Sequence, residues 1–526
     1  MGVQDQIQSV PVRTLSPGLR RFVFLTAAVG GAVVLIVEIL GAKMLAPYVG
    51  TSHFVWTAQI AVTLVALATG YAAGGWLADR SPRLYWVYWA LLMAAAWLGG
   101  AAIVCEPVAF WCLSFRLAVG SMLAAGVLFF VPLALLATIG PFLVRVLTES
   151  VASVGTTMGR LTSVSTLGSV GGALLIGYVL LPLMPNSVTM FTAAGVLIAL
   201  SLVYFAVWCR SQAAPAVVGG AVAALLGYLG TTQAPFARVP GTHEVHRRNS
   251  NYGLMQVLDD AEGTHRYYMH DMLRQNEYLL RERRSASFYT YMLHNLARAY
   301  CGQIREVLCI GLGIGMVPRQ FVEEGARVEV VEINPAVVSV AQQYFDFRPD
   351  SVHLYLGDGR YYLRVGTNQY DAVVLDAFLG EAPPSHLMTR EAFQDVQRRL
   401  RPEGVLVINT FCHFESGRDF LGASLDRTLK QVFRSVRIHA AGSGNVFFVA
   451  SDQADLVLRH PPDLAAVPAD VRPTMERMLA RASTVVPEHG RVLTDDYNPV
   501  DARDAANQMD LRWQLGLNYR WRLRRE

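Results

Sequence analysis

Charge is what this sequence has least of. Asp, Glu, Lys and Arg make up 16% of the chain, against about 25% in an ordinary soluble domain. The deficit is local: residues 22–230 hold very few charges, while residues 240–526 have the mixture of a soluble domain. The mean hydropathy of +0.32 therefore averages a membrane half and a water-soluble half. A net charge of +4 is too small to point to nucleic acid. Cysteine is sparse too. Cys105, Cys112, Cys209, Cys301, Cys309 and Cys412 form no C-x-x-C pair, and no histidine spacing suits a metal, so no metal site is expected. Cys105 and Cys112, read as sharing a short loop, would pair only in an oxidising compartment and are otherwise free thiols. The polar residues before the first apolar run do not read as a cleavable signal peptide.

Long apolar runs are what the first half has instead. A spanning helix needs about 20 apolar residues. Candidates are Phe22–Leu45, Trp56–Ala78, Leu84–Val104, Leu117–Ile139, Leu161–Leu183, Val188–Trp208 and the shorter, Ala- and Gly-rich Ala213–Leu229. Residues 1–230 thus read as a multi-pass domain of six to seven spans in a lipid bilayer. Arg13, Arg20 and Arg21, then Arg80 and Arg83, then Arg145 and Arg160, then Arg210 fall in alternate loops, while the opposite loops hold little beyond Arg116. This bias puts the N-terminal end inside. Seven crossings would then leave the second half outside. Six, with 213–229 re-entrant or lying on the surface, would keep it in the cytoplasm. Glu38, inside an apolar span, is either functional or a hydrogen-bonded packing residue. Gly168, Gly171 and Gly172 read as helix-packing positions.

Residues 231–249, with Pro235 and Pro240, read as a linker. Two strand-like runs about the turn Asp259–Gly263 suggest a small β-hairpin domain over 250–285. From 286 to 526, strands and helices alternate as in an α/β Rossmann-like, methyltransferase-like domain with a largely parallel sheet. An apolar strand, Glu306–Ile310, runs into Gly311, Gly313 and Gly315 and then a helix, the context that a nucleotide-binding glycine loop requires. Glu332 ends the second strand, where an acid can accept both ribose hydroxyls. Asp358, followed by Gly359, and Asp376 end the next two. Three acids at one rim suit a cationic ligand with an adenine amine and would repel a pyrophosphate, which favours an adenosyl sulfonium over a dinucleotide.

Val307–Gly315, Val330–Ile333, Leu356–Arg360 and Tyr370–Asp376 resemble the spermidine synthase (polyamine aminopropyltransferase) family. The resemblance covers roughly residues 250–450. Leu45–Ser52, with Glu38, and Gly70–Arg80 are similar to the subset fused to a membrane domain, and the latter run also looks like the cytoplasmic loop signature of facilitator transporters. The resemblance implies aminopropyl transfer to putrescine or a related amine, giving spermidine and 5′-methylthioadenosine. Decarboxylated S-adenosylmethionine would be the co-substrate, with no prosthetic group. It implies that Glu332 holds the ribose, Asp358 and Gly359 meet the adenine, Asp376 is the base, and Tyr252 and Gln256 approach the thioadenosine. A homodimer is compatible with it.

Three departures thin out the acids that grip the amine. Tyr289-Thr290-Tyr291 stands where the family has Tyr-His-Glu, and Leu379 and Ile314 occupy two further acidic positions. Glu381, Asp495 and Asp496 are candidate substitutes. The run Leu493–Asp501 resembles a C-terminal motif of the fused proteins and otherwise reads as a capped turn. Two competing readings stand beside aminopropyl transfer. One is a methyltransferase using intact S-adenosylmethionine on a membrane-associated substrate. It would want a cation or amide near the glycine loop, where Arg319 is the nearest base. The other is a polyamine transporter or sensor with a non-catalytic binding domain.

Overall fold

The structure, a computed structural model, describes residues 15–50, 53–112, 115, 117–148, 153–232, 241–378, 380, 382–442, 444–480 and 482–512. Arg13, Arg116, Leu379, Glu381 and the basic, aromatic tail from Trp513 lie outside the described residues. The chain divides into two compact units that meet in sequence near residue 236.

The first unit is helical. Its long helices are α1 (Pro17–Val49), α2 (His53–Arg80), α3 (Tyr85–Cys112), α4 (Leu117–Leu147), α5 (Val154–Leu183), α6 (Asn186–Trp208) and α7 (Ala213–Thr232). All seven have the length and apolarity to cross a bilayer. Small residues set the packing. A Cβ at Gly168 or Gly172 would collide with the carbonyl of Ala28 or Ala32 on α1, so α5 crosses α1 backbone to backbone. Gly171 faces open space and has no such part, contrary to its expected packing role. The run Gly70–Arg80 is the last part of α2 rather than a loop. Gly70 and Gly74 press on Ala134 and Thr138, and Asp79 pairs with Arg145 at 3.5 Å. Glu38 is half-buried on α1. Cys105 and Cys112 are buried free thiols on α3, not neighbours in a loop.

The run 213–229, expected either as a seventh span or as a re-entrant or surface-lying segment, is helical throughout. α7 is one continuous helix, packed on α3 and α6. Gly219 meets Trp89, Gly227 meets Gly99, and Gly230 meets Ala102. These pairs advance together along both helices, so α7 runs parallel to α3 over about three turns.

The second unit opens with a five-stranded antiparallel sheet in sequential order, β1 (Thr242–Ser250), β2 (Gly253–Asp260), β3 (His265–His270), β4 (Leu273–Leu279) and β5 (Arg284–Ser285). All of β1 but Ser250 lies inside the stretch read as a linker. Its polar sequence hid an edge strand that pairs with β2 from Thr242↔Asp260 to Ser250↔Gly253. The hairpin domain is therefore larger than expected.

Next come α8 (Phe288–Tyr300), β6 (Glu306–Ile310), α9 (Met316–Glu323), β7 (Arg327–Glu332), α10 (Pro335–Tyr344), β8 (His353–Leu356), α11 (Gly359–Val365), β9 (Tyr370–Leu375), α12 (Arg390–Arg399), β10 (Leu400–Cys412), α13 (Phe420–Leu429), β11 (Ser435–His439) and β12 (Gly444–Ser451). Helices α14 (Arg472–Ala480), α15 (Val500–Arg503) and α16 (Ala505–Arg512) close the described chain. The strands form one sheet in the order β11-β12-β10-β9-β6-β7-β8. Strands β10, β9, β6, β7 and β8 are parallel, and β12 and β11 are antiparallel to their neighbours. Apolar side chains cover both faces: Val307, Cys309 and Phe321 belong to one core, Leu308, Ile310 and Phe393 to the other. This is the Rossmann-like architecture expected. Strand order reverses between β6 and β9, and ligands of such sheets bind at the carboxyl ends of the strands flanking that point.

Candidate functional site

A cavity of about 490 Å³ opens at that point. Its floor is the glycine loop after β6. Gly311 has φ +95° and Gly315 φ +82°, where a side chain is strained. A Cβ at Gly311 would also strike the carbonyl of Asp376, so only glycine lets the loop lie against the end of β9. The amide of Asp376 in turn donates to Ile310 O at 2.9 Å. Gly311 and Gly313 line the cavity, whereas Gly315 packs under Phe347 and shapes the loop from behind.

Glu332 ends β7 and is 8% exposed. Its oxygens accept from the amides of Leu312 at 3.0 Å and Asn334 at 2.8 Å. Burial pushes its pKa up and these backbone bonds oppose the shift. One carboxylate thus ties the glycine loop to β7 and still has lone pairs for a sugar diol. Asp358 caps α11, accepting from the Tyr361 amide at 2.9 Å, and its other oxygen lies 3.0 Å from His386 Nε2. Gly359 is buried beside it, with no room for a Cβ against Ile310.

Asp376 lines the cavity at the end of β9. It accepts from Asn409 Nδ2 at 2.9 Å, and Asn445 Nδ2 steadies Asn409 at 3.0 Å. Its surface is partly open to the cavity, yet protein surrounds the group closely, and this burial pushes its pKa up to about 6. Tyr289 stands nearby, accepting from Asn276 and donating to Gln275 O. Burial, and then the charge of Asp376, raise its pKa.

Most expected residues therefore converge: Gly311, Gly313, Glu332, Asp358, Gly359, Asp376 and Tyr252 all line one cavity. Gln256 does not. β2 alternates, sending Met255 and Val257 into the core with α8 and α10, so Gln256 faces the opposite side and donates to Glu244 at 2.8 Å. Of the three candidate substitutes for the amine-gripping acids, Glu381 lies outside the described residues and the other two are placed elsewhere. Asp495 is taken by Thr389 and by Arg360 at 3.0 Å, a buried guanidinium that also pairs with Asp395, and Asp496 lies outside the cavity lining. The run 493–501 is thus a clamp on α11 and α12. Arg319 is not in the cavity lining and pairs with Glu323 at 2.7 Å.

Sequence reading missed Asn409, Asn445, His386, Glu277 and Asp470. The last two bring the lining carboxylates to five (Glu277, Glu332, Asp358, Asp376 and Asp470) against one guanidinium, Arg274, which Glu277 pairs at 2.9 Å. The cavity is electronegative, a fit for cations.

Fold and cavity define an α/β domain with an acidic pocket at the carboxyl ends of its strands. Residues 286–442 match the spermine/spermidine synthase domain, so the C-terminal unit carries a domain of that family. The polyamine aminopropyltransferase of Vibrio vulnificus is 43% identical over 111 residues, 20% of this chain and 37% of that protein. The N-terminal histidine N-methyltransferase of Emericella nidulans is 33% identical over 151 residues, 28% of this chain and 26% of that one. The chain thus spans well under two thirds of either relative. Among solved structures, spermidine synthase from Thermotoga maritima superposes over 46% of this chain and 84% of its own, at 17% identity and a TM-score of 0.38.

Proposed function

We propose that residues 286–526, with the β-sheet before them, transfer a 3-aminopropyl group from decarboxylated S-adenosylmethionine to a putrescine-like amine. The observation that carries this reading is the cavity's charge: five carboxylates and one already paired guanidinium suit a polycationic pair of substrates. Glu332 holds the ribose hydroxyls. Asp358, with Gly359, meets the adenine, and Tyr252 flanks the thioadenosine.

The sulfonium makes its neighbouring carbon electrophilic, and the thioether leaves. The amine must lose a proton to attack, yet its solution pKa is about 10. Asp376 binds the ammonium as a carboxylate and takes that proton, which frees the nitrogen lone pair to form the C–N bond as the C–S bond breaks. Its pKa of about 6 suits a base that is ionised at neutral pH. Binding both reactants in line supplies the rest of the acceleration.

One observation favours methyl transfer, the loss of acids at Tyr291, Leu379 and Ile314. A methyl donor keeps its carboxylate, and the one lining guanidinium is engaged by Glu277. Calorimetry on the full-length protein separates the two. Tighter binding of the decarboxylated donor supports aminopropyl transfer, and tighter binding of intact S-adenosylmethionine removes it.

The donor is a cytosolic metabolite, so we assign the C-terminal unit to the cytoplasm and the helical unit to the cell membrane. With α7 crossing as the seventh span, this assignment requires the N-terminal end to lie outside, against the arginine distribution.

A further inference from the structure

Beside the main cavity lies a second, of about 70 Å³, lined by residues that the mechanism does not use. Phe411 and Leu511 belong to both walls. At its back is Asp504, 4% exposed, which accepts from Asn507 Nδ2 at 2.7 Å and forms no ion pair among the described residues. Arg418 goes instead to Asp510 and Asn507. Gln508, 5% exposed, also lines this cavity, and its buried side-chain nitrogen has no hydrogen-bond partner. An amide's oxygen and nitrogen are interchangeable by a flip, so it can turn an acceptor toward a guest. Leaving the Gln508 amide without a partner, beside a buried carboxyl held by one neutral amide, is costly unless something polar enters.

β10 gives the distance. Alternate residues on one face of a strand point the same way. Asn409 holds Asp376, Phe411 lines both cavities, and His413 lines the second. From position 409 to 412 the strand covers about 10 Å, and His413 follows its end. A chain that puts its attacking nitrogen at Asp376 and a far ammonium at Asp504 must therefore be long.

We propose that the cavity at Asp504 and Gln508 is a subsite for the distal ammonium of the acceptor, making a linear triamine a better acceptor than a short diamine. The proposal rests on the aminopropyl-transfer reading for its chemistry, and on this second cavity for its specificity. Asp504 stands well outside residues 286–442, so its acid replaces those missing from the family's positions with one from the C-terminal helices. Burial pushes the Asp504 carboxyl up to about 7, and an arriving cation would restore its charge.

The test uses full-length protein loaded with 5′-methylthioadenosine, titrated calorimetrically with spermidine and with putrescine, alongside turnover with each amine. The wild type is expected to bind spermidine at least tenfold more tightly. Asp504→Asn is expected to lower the spermidine-to-putrescine ratio of kcat/KM at least tenfold. Ala382→Leu, which fills the cavity from its wall without touching the acid, is expected to do the same and guards against a misfolded Asn variant. An unchanged ratio in both variants, or no preference for spermidine in the wild type, overturns the subsite. Tight, Asp504-dependent spermidine binding without any aminopropyl transfer keeps the subsite and removes the reaction.

Discussion

Asn409 donates to Asp376 at 2.9 Å from the neighbouring strand, so the proposed base is held by a neutral amide and not by a cation. An arginine there would hold the carboxyl well below its usual range. The amide leaves burial dominant, and the pKa rises to about 6.

Replacing Asp376 should therefore change both rate and pH dependence. Asp376→Asn is expected to lower kcat by on the order of 10²–10⁴ while nucleoside affinity stays within about tenfold. In the wild type the base is the ionised form, so kcat/KM should rise with pH through about 6. It should then hold level until the amine deprotonates near its pKa of about 10. In the variant the plateau should vanish, leaving a rise that continues toward the amine's pKa. Full activity in the purified variant would remove Asp376 from the mechanism.

Asn409→Ala should move the rising limb to higher pH. It removes a hydrogen bond that favours the charged carboxylate, an interaction of about 1.5–3 kcal/mol, or about one to two pKa units. A pH profile that does not move would mean that Asn409 only supports the strand.

Glu332→Gln should weaken 5′-methylthioadenosine binding by about 1.5–3 kcal/mol, roughly tenfold or more, with far less effect on the KM of the amine. The side chain also ties the glycine loop to β7 through the Leu312 and Asn334 amides, so a lower melting temperature is expected as well. Calorimetry showing unchanged affinity would take Glu332 out of the ribose site.

How much of this could be read beforehand follows from which contacts are local. The glycine loop, Glu332, Asp358 and Asp376 each sit at a strand end followed by a turn or helix, so a few consecutive residues announce them. Asn409 and Asn445 become neighbours of Asp376 only through the order β9-β10-β12, which no short window contains. Gln256 was misplaced by one step of strand alternation, which turns a side chain to the other face. β1 was hidden because an edge strand needs little apolar sequence. Ala213–Thr232 is Ala- and Gly-rich because it packs closely on α3, and composition alone made that look like weakness as a span.

The side of the membrane is open to direct test. A reporter fused after Glu526 should fluoresce as a cytoplasm-only protein and show no alkaline phosphatase activity, and a reporter ahead of α1 should show the reverse. Phosphatase activity at the C-terminal fusion would put the second unit outside and separate it from a cytosolic donor.

The most direct measurement follows the fate of the donor. Full-length protein is incubated with putrescine or spermidine and with decarboxylated or intact S-adenosylmethionine, and the nucleoside and amine products are resolved by mass spectrometry. The account predicts that only the decarboxylated donor reacts, giving 5′-methylthioadenosine and an amine heavier by one aminopropyl group in equal amounts. Release of S-adenosylhomocysteine from the intact donor, with no aminopropyl product from the other, would contradict it.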